Sequence, residues 1–498
     1  MRKLLFAMAL MGAVPTMAQK TTLKGADKFG KTITAADLKK HLYIVAGPEM
    51  EGRETAKEGQ RKAAAYIEEY FKSLGLKPGN GTSYQQAFPV YEDKFEAAEL
   101  MVNGTALKLD QDFTLNLGQS HTATQYFSEF VYVKDTTMVG GGNDYKNLEV
   151  TGKLVLVNGL SAAANSRNAN YARVINALIR KGAAAVLLVQ GGFPREQGIA
   201  AQHGAMSLNQ YKRSVTPNVF SISEQVAAKL MGADWNQAKA NTIPSKTYPA
   251  EVKLAFSKSF TQLESTNVLG VVEGTDKKDE YLFVTAHYDH IGIENGVINA
   301  GADDDGSGTV SILEMAEAFA KAKAAGKGPR RSIVFMTVSG EEKGLWGSAY
   351  YSNHPIFPLE NTVADLNIDM IGRVGFEYQK SADSGNYVYV IGDDKLSSDL
   401  RPVSEAANKQ FVKMKLDYKY NDPNDPNRFY YRSDHYNFAV KGVPVIFYFN
   451  GVHADYHRPG DTPDKINYPL MEKRARLVFY TAWEMANREN KIVRDKPL

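Results

Sequence analysis

The sequence contains no cysteine. That absence excludes disulfide bonds, thiol nucleophiles, Cys-ligated zinc and iron–sulfur clusters together. Nine histidines and the carboxylates remain as the strong side-chain metal ligands. Net charge is almost absent too. The 59 Lys and Arg stand against 56 Asp and Glu, too small a surplus for a dedicated nucleic-acid binder. Internal repeats and low-complexity stretches are missing. No apolar run is long enough for an ordinary membrane span: the run at 4–14 is short, and 183–189 suits a buried strand. With 43% hydrophobic and 23% charged residues the composition is near the globular average, which argues against disorder, collagen-like repeats and coiled coil. At this chain length the prior is roughly two to four domains.

The first feature present is an address. Arg2 and Lys3 precede the apolar run 4–14, and Pro15-Thr16-Met17-Ala18-Gln19 follows with small residues at Thr16 and Ala18. This is the plan of a secretory signal peptide over 1–18, cleaved after Ala18. It predicts a periplasmic or secreted protein that does not span the membrane. A chain of this size buries a core without disulfides.

Periodicity then gives the organisation. Residues 59–74 carry Ala63, Tyr66, Ile67, Tyr70, Phe71 and Leu74 at helical spacing, with Gly75 as the stop. Residues 79–85 form a turn-rich connector. Between 129 and 252 the pattern is that of a separate β/α unit: strands at 153–158, 184–190 and 218–223, helices at 171–181 and 224–231. It contains one histidine, His203, and no ligand cluster, so it reads as a scaffold or lid module. From 265 onward strands alternate with helices. The runs 281–286, 332–338, 363–368, 387–391 and 443–449 are apolar throughout, as strands buried on both faces are. Helices are predicted near 308–325 and 470–490. The expected fold class is an α/β three-layer sandwich with a central, mostly parallel sheet, plus the small inserted β/α domain.

In open α/β sheets ligands bind beyond the carboxyl ends of the strands. Four of the predicted strands are followed there by His or carboxylate: His287-Tyr288-Asp289-His290, Ser339-Gly340-Glu341-Glu342, Asp369, and a loop with His453, Asp455 and His457. A fifth place is Gly301-Ala302-Asp303-Asp304-Asp305-Gly306-Ser307-Gly308. Each has a bland reading alone: a core histidine, a solvated acidic pair, or a turn leading to a helix capped by Ser307. Together, so many acidic groups on one rim would repel each other or demand cations. A pair of divalent metals bridged by a carboxylate would hold them.

These residues resemble the secreted co-catalytic zinc aminopeptidases, the family that includes glutamate carboxypeptidase II, the transferrin-receptor ectodomain and glutaminyl cyclases. The matching stretches are those at 286–290, 301–308 and 339–345, with Asn367-Ile368-Asp369-Met370, Arg432-Ser433-Asp434-His435 and Asp455-Tyr456-His457-Arg458-Pro459-Gly460-Asp461-Thr462. Glu51-Gly52-Arg53-Glu54-Thr55 also fits, and the insert at 129–252 is similar to a protease-associated domain. The domain plan is thus 1–18, 19–128, 129–252 and 253–498. The resemblance implies that Asp304 bridges two divalent ions, zinc by ligand type, with manganese or cobalt as alternatives. Glu342 and His457 complete one site, His287 and Asp369 the other. Asp289 orients His287, Glu341 is the general base, and Tyr456 donates to the oxyanion. Ser433, Asp434 and His435 take structural roles, Asp303 and Asp305 serve as turn or cap groups, and His290 and His453 receive no ligand role. The implied activity is removal of N-terminal residues from peptides. A carboxypeptidase, a dipeptidase, a glutaminyl cyclase or a non-catalytic binding protein on the same scaffold are the other readings. A peptide substrate is the one partner implied; the oligomeric state stays open.

Overall fold

A computed structural model describes residues 22–134, 148–160, 169–202 and 204–498. The signal-peptide reading at 1–18 and His203 lie outside them. The chain divides into two compact units, 1–88 with 264–498, and 89–263.

The first unit contains α1 (Ala35–Val45), α2 (Glu58–Ser73), the end of β1 (Lys246–Val272), β2 (Lys277–His287), α3 (Gly308–Ala324), β3 (Arg331–Val338), α4 (Trp346–Asn353), β4 (Thr362–Ile368), β5 (Tyr387–Ile391), α5 (Leu400–Ala407), β6 (Lys415–Asp417), α6 (His435–Ala439), β7 (Val445–Phe449) and α7 (Tyr468–Asn487). The sheet order is β6-β5-β7-β4-β2-β3-β1. Pairing is parallel for β2 with β3, β2 with β4, and β4 with β7. It is antiparallel for β1 with β3 and β5 with β7. Strands β3, β4, β5 and β7 are buried along their whole length, which is why no polar–apolar alternation marks them in the sequence.

Both faces of this sheet are covered. Leu282, Val284, Ala286, Phe335, Leu366 and Ile446 pack with residues of α1, α2, α3 and α7. Their alternates Phe283, Val334, Met336, Phe447 and Phe449 pack with Tyr351 and Phe438, from α4 and α6. The result is the three-layer α/β sandwich. Helix α2 buries Ala63, Ala64, Ile67 and Phe71. It stops where Gly75 takes a φ of +72°, a conformation glycine adopts without steric cost.

The second unit is also built on parallel strands. Leu154–Asn158 pairs with Ala123–Val133 and with Ala185–Val189, which pairs with Val219–Ile222. Lys246–Phe256 adds antiparallel to Ala123–Val133. Helices Ala169–Arg180, Glu224–Met231 and Asp234–Lys239 belong to it. This packing unit extends on both sides of the 129–252 segment. The reason is that the 123–133 strand draws its neighbours into the same small core, with Leu100, Phe113, Phe130 and Phe256 among its members.

Candidate metal centre

The parallel registers set the site. His287 pairs with Val338 across β2 and β3, and Thr285 with Asn367 across β2 and β4. The carboxyl ends of β2, β3 and β4 therefore finish at one edge, and their following residues are delivered together.

Asp304 lies at the middle of the group. Its Oδ1 is 3.2 Å from His287 Nε2, and its Oδ2 is 3.0 Å from His457 Nε2. His287 Nε2 is 3.7 Å from Asp369 Oδ1 and 3.9 Å from Glu341 Oε2. His457 Nε2 is 3.0 Å from Glu342 Oε2. The ligand atoms of His287, Asp304 and Asp369 all lie within 4.8 Å of one another, as do those of His290, Asp304 and Glu342. Several of these atoms are buried and have no hydrogen-bond partner outside the cluster itself: His287 Nε2, Asp304 Oδ2, Glu342 Oε1 and both ring nitrogens of His290. Orphaned imidazole and carboxylate atoms converging at such distances fit divalent cations, and the donor set suits zinc.

The electrostatics agree. Burial alone would lower the pKa of His287, yet the charges of Glu341, Asp289, Asp304 and Asp369 carry it well above the usual value. Burial likewise opposes the charge of His457, while Asp304 and Glu342 push it up to about 10. Burial first, then Glu342 and Asp369 against the opposing pull of His287, raises Glu341. Burial raises Asp369 as well, with His287 opposing. The surrounding carboxylates favour positive charge on both imidazoles, and the same field would hold metal cations.

The Asp304 loop is clamped from outside. Asp461 Oδ2 accepts the backbone N–H groups of Asp303 and Asp304 at 2.9 and 3.1 Å. Asp305 Oδ1 accepts from Gly308 N at 2.9 Å and from Met370 N at 3.0 Å. Asp305 thus supplies the helix cap expected of Ser307, whose hydroxyl instead donates to the Asp303 carbonyl at 2.8 Å. Asp303 Oδ1 accepts from Gly372 N at 2.6 Å, and its Oδ2 is 3.1 Å from His453 Nε2.

Asp289 acts differently from the sequence expectation. Its carboxylate is 3.7 Å from His287 Nδ1, while its backbone oxygen is nearer, at 3.1 Å. The carboxylate accepts instead from Glu341 N at 3.2 Å and from the Thr55 hydroxyl at 2.6 Å. It therefore fixes the backbone under Glu341 as well as the ring of His287 through its own carbonyl. Tyr456 stacks on His457 with ring centroids 3.9 Å apart. Burial and the charges of Asp304, Glu342 and Asp369 raise its pKa, so its hydroxyl remains a donor. Ser433 accepts from Asn367 Nδ2 at 2.9 Å, Asp434 from Ser348 at 2.5 Å, and His435 faces the Tyr430 carbonyl at 2.8 Å.

Three contributors carried no clear signal in the sequence. His290 Nδ1 is 2.8 Å from Glu342 Oε1, backing the oxygen opposite the one that meets His457. Arg53 is fully buried and donates to the carbonyls of Tyr288, Val45, Ala300 and Gly301 at 2.7–2.8 Å. Arg432 lines the cavity over the site, beside Asp304, Glu341, Asp369, Met370, Phe429, Phe447, Phe449, Val452 and Tyr456.

Comparison with known proteins agrees with this geometry. Residues 267–482 match the model of Peptidase family M28. A probable leucine aminopeptidase of Arthroderma otae is 29% identical over 56% of this chain and 72% of its own length. Aminopeptidase YwaD of Bacillus subtilis is 27% identical over 59% of each chain. Two solved structures share the fold at a TM-score of 0.54: an aminopeptidase from Aneurinibacillus sp. strain AM-1, 20% identical over 95% of this chain and 98% of that one, and the zinc aminopeptidase BSAP from Bacillus subtilis, 19% identical over 94% and 98%. The family match begins in β1 and ends in α7, so the segment similar to Peptidase family M28 takes in every strand end that carries a candidate ligand.

Proposed function

We propose that this protein is an exported zinc aminopeptidase that removes N-terminal residues from peptides by a two-metal hydrolysis. The observation that carries the reading is the split of the Asp304 carboxylate, one oxygen toward His287 and the other toward His457. His287, Asp304 and Asp369 would hold one zinc ion; Asp304, Glu342 and His457 would hold the other. His290 supports Glu342 from behind rather than binding an ion. When bound, such a metal pair acidifies water and polarises the scissile carbonyl.

The chain's own groups do the rest. Glu341 takes the proton of the attacking water and passes it to the leaving amine. Its burial raises its pKa above the usual carboxylate range, which strengthens it as a proton acceptor. The Asp289 carboxylate anchors its backbone. The Tyr456 hydroxyl donates to the oxyanion as the carbonyl becomes tetrahedral. Met370, Phe429, Phe447, Phe449 and Val452 form an apolar wall suited to an apolar first residue. The 1–18 leader would direct export. The 89–263 unit would be a protease-associated-like module, a reading supported by its parallel β/α sheet.

The test is a cleavage panel with zinc-loaded protein, comparing free-N-terminus, N-acetylated and C-amidated forms of the same peptides. Free and C-amidated forms should be cut from the N-terminus and N-acetylated forms spared. Cleavage of N-acetylated peptides would end the aminopeptidase claim and leave the hydrolase one standing.

A further inference from the structure

Arg432 is the one cation among the residues lining the catalytic cavity; the charged groups around it, Asp304, Glu341 and Asp369, are all acidic. Among the described residues its guanidinium has two contacts. Nη2 is 3.4 Å from the Tyr456 hydroxyl, and Cζ lies 4.9 Å from the centre of the Phe429 ring. Among the described residues no carboxylate forms an ion pair with it. A guanidinium offers five donors in a planar fork matched to a carboxylate, and here most of that fork is unspent. The side chain is exposed, so a substrate group can reach it from solvent.

We propose that Arg432 is a specificity residue that receives a carboxylate of the substrate. The inference rests on the peptidase reading above. It adds that substrates carrying a carboxylate close to the scissile bond are favoured over those lacking one. Two sources have this chemistry. One is the free C-terminus of a dipeptide, which falls one residue beyond the bond cut. The other is the side chain of an acidic first residue. The Phe429 ring lies 4.9 Å from the guanidinium carbon and restricts it on one side, so less freedom is lost when the carboxylate arrives.

The measurement is binding to the zinc-loaded Glu341→Gln variant by calorimetry, with turnover by zinc-loaded wild type beside it. The probe pairs are Leu-Leu against Leu-Leu-amide, and Glu-p-nitroanilide against Gln-p-nitroanilide. A charge-assisted hydrogen-bond pair should give roughly 10- to 100-fold preference within one of the pairs. Preference in the first pair assigns the dipeptide carboxylate, and preference in the second assigns the acidic side chain. In either case Arg432→Met should bring that ratio to near one, and Arg432→Lys should retain part of it. Tyr456→Phe should slow both members of a pair alike and leave the ratio standing, which separates carboxylate recognition from positioning of the phenol. No preference in either pair, or a preference that survives Arg432→Met, overturns the proposal. Selective binding without hydrolysis of any probe by wild type would instead overturn the aminopeptidase reading and leave this one intact.

Discussion

Each unit of this molecule contains a run of parallel strands, and only one of the two runs carries the candidate chemistry. In the first unit the strands β2, β3, β4 and β7 run into His287, Glu341 and Glu342, Asp369, and the loop with Tyr456 and His457. In the second unit the strands Leu154–Asn158, Ala185–Val189 and Val219–Ile222 run into Gly159, Gln190 and Ser223. Among the described residues, no metal-capable cluster occurs in the second unit. The strands of both are short, apolar and hydrogen-bonded in parallel. The architecture therefore supplies a place where loops converge, and the first few residues beyond each strand decide whether that place does anything.

The strongest way to break the comparison is to remove the shared carboxylate. Asp304→Asn should abolish turnover and strip metal from both halves of the centre, as read by elemental analysis of the purified variant. Retention of a full metal complement would refute the bridging assignment. Next in size is Glu341→Gln, which should lower kcat by about 10²–10⁴-fold while metal content stays at the wild-type level; unchanged turnover would remove Glu341 from the mechanism. Arg53→Met comes third. It would leave buried carbonyls of Tyr288, Val45, Ala300 and Gly301 without their donor, at a cost of about 3 kcal/mol or more. Urea unfolding measures that directly, and a change under ~0.5 kcal/mol would mean that the loop backbone finds other partners. The smallest effect is expected from Gln190→Ala, past a strand end of the second unit. Peptide turnover should stay within about twofold of wild type. A larger loss would give that sheet a part in catalysis.

Much of the fold was legible because buried strands and amphipathic helices leave different imprints. The run 387–391 is the strand Tyr387–Ile391 itself, and the helix expected over 308–325 is Gly308–Ala324. His287, Glu342, Asp369 and His457 stood out because their residue types recur just past predicted strand ends, and the resemblance added Asp304 and the ligand roles. What was illegible depends on where a side chain turns once the chain is folded. The resemblance gave Asp305 a turn or cap role and the residue pattern offered Ser307 as the cap; that Asp305 caps α3 goes with its second donor, Met370 N, which is distant in sequence. Nor does the His-x-Asp spacing reveal that the Asp289 carboxylate reaches Glu341. The expectation was built on one neighbour, and the folded chain supplied another. Arg53 stood in a matching stretch without a role of its own, and an isolated arginine seldom enters a core. Four carbonyl acceptors from three segments make its burial tolerable.

The hold of Asp461 on Asp303 and Asp304 spans more than 150 positions of the chain. Loop closure over such a distance comes late in folding, and during synthesis the loop carrying Asp304 emerges long before its clamp exists. A growing chain, or one cut short before Asp461, holds its Asp304 carboxylate without the geometry that makes it useful. The geometry of the Asp304 loop is thereby tied to a residue more than 150 positions further along the chain.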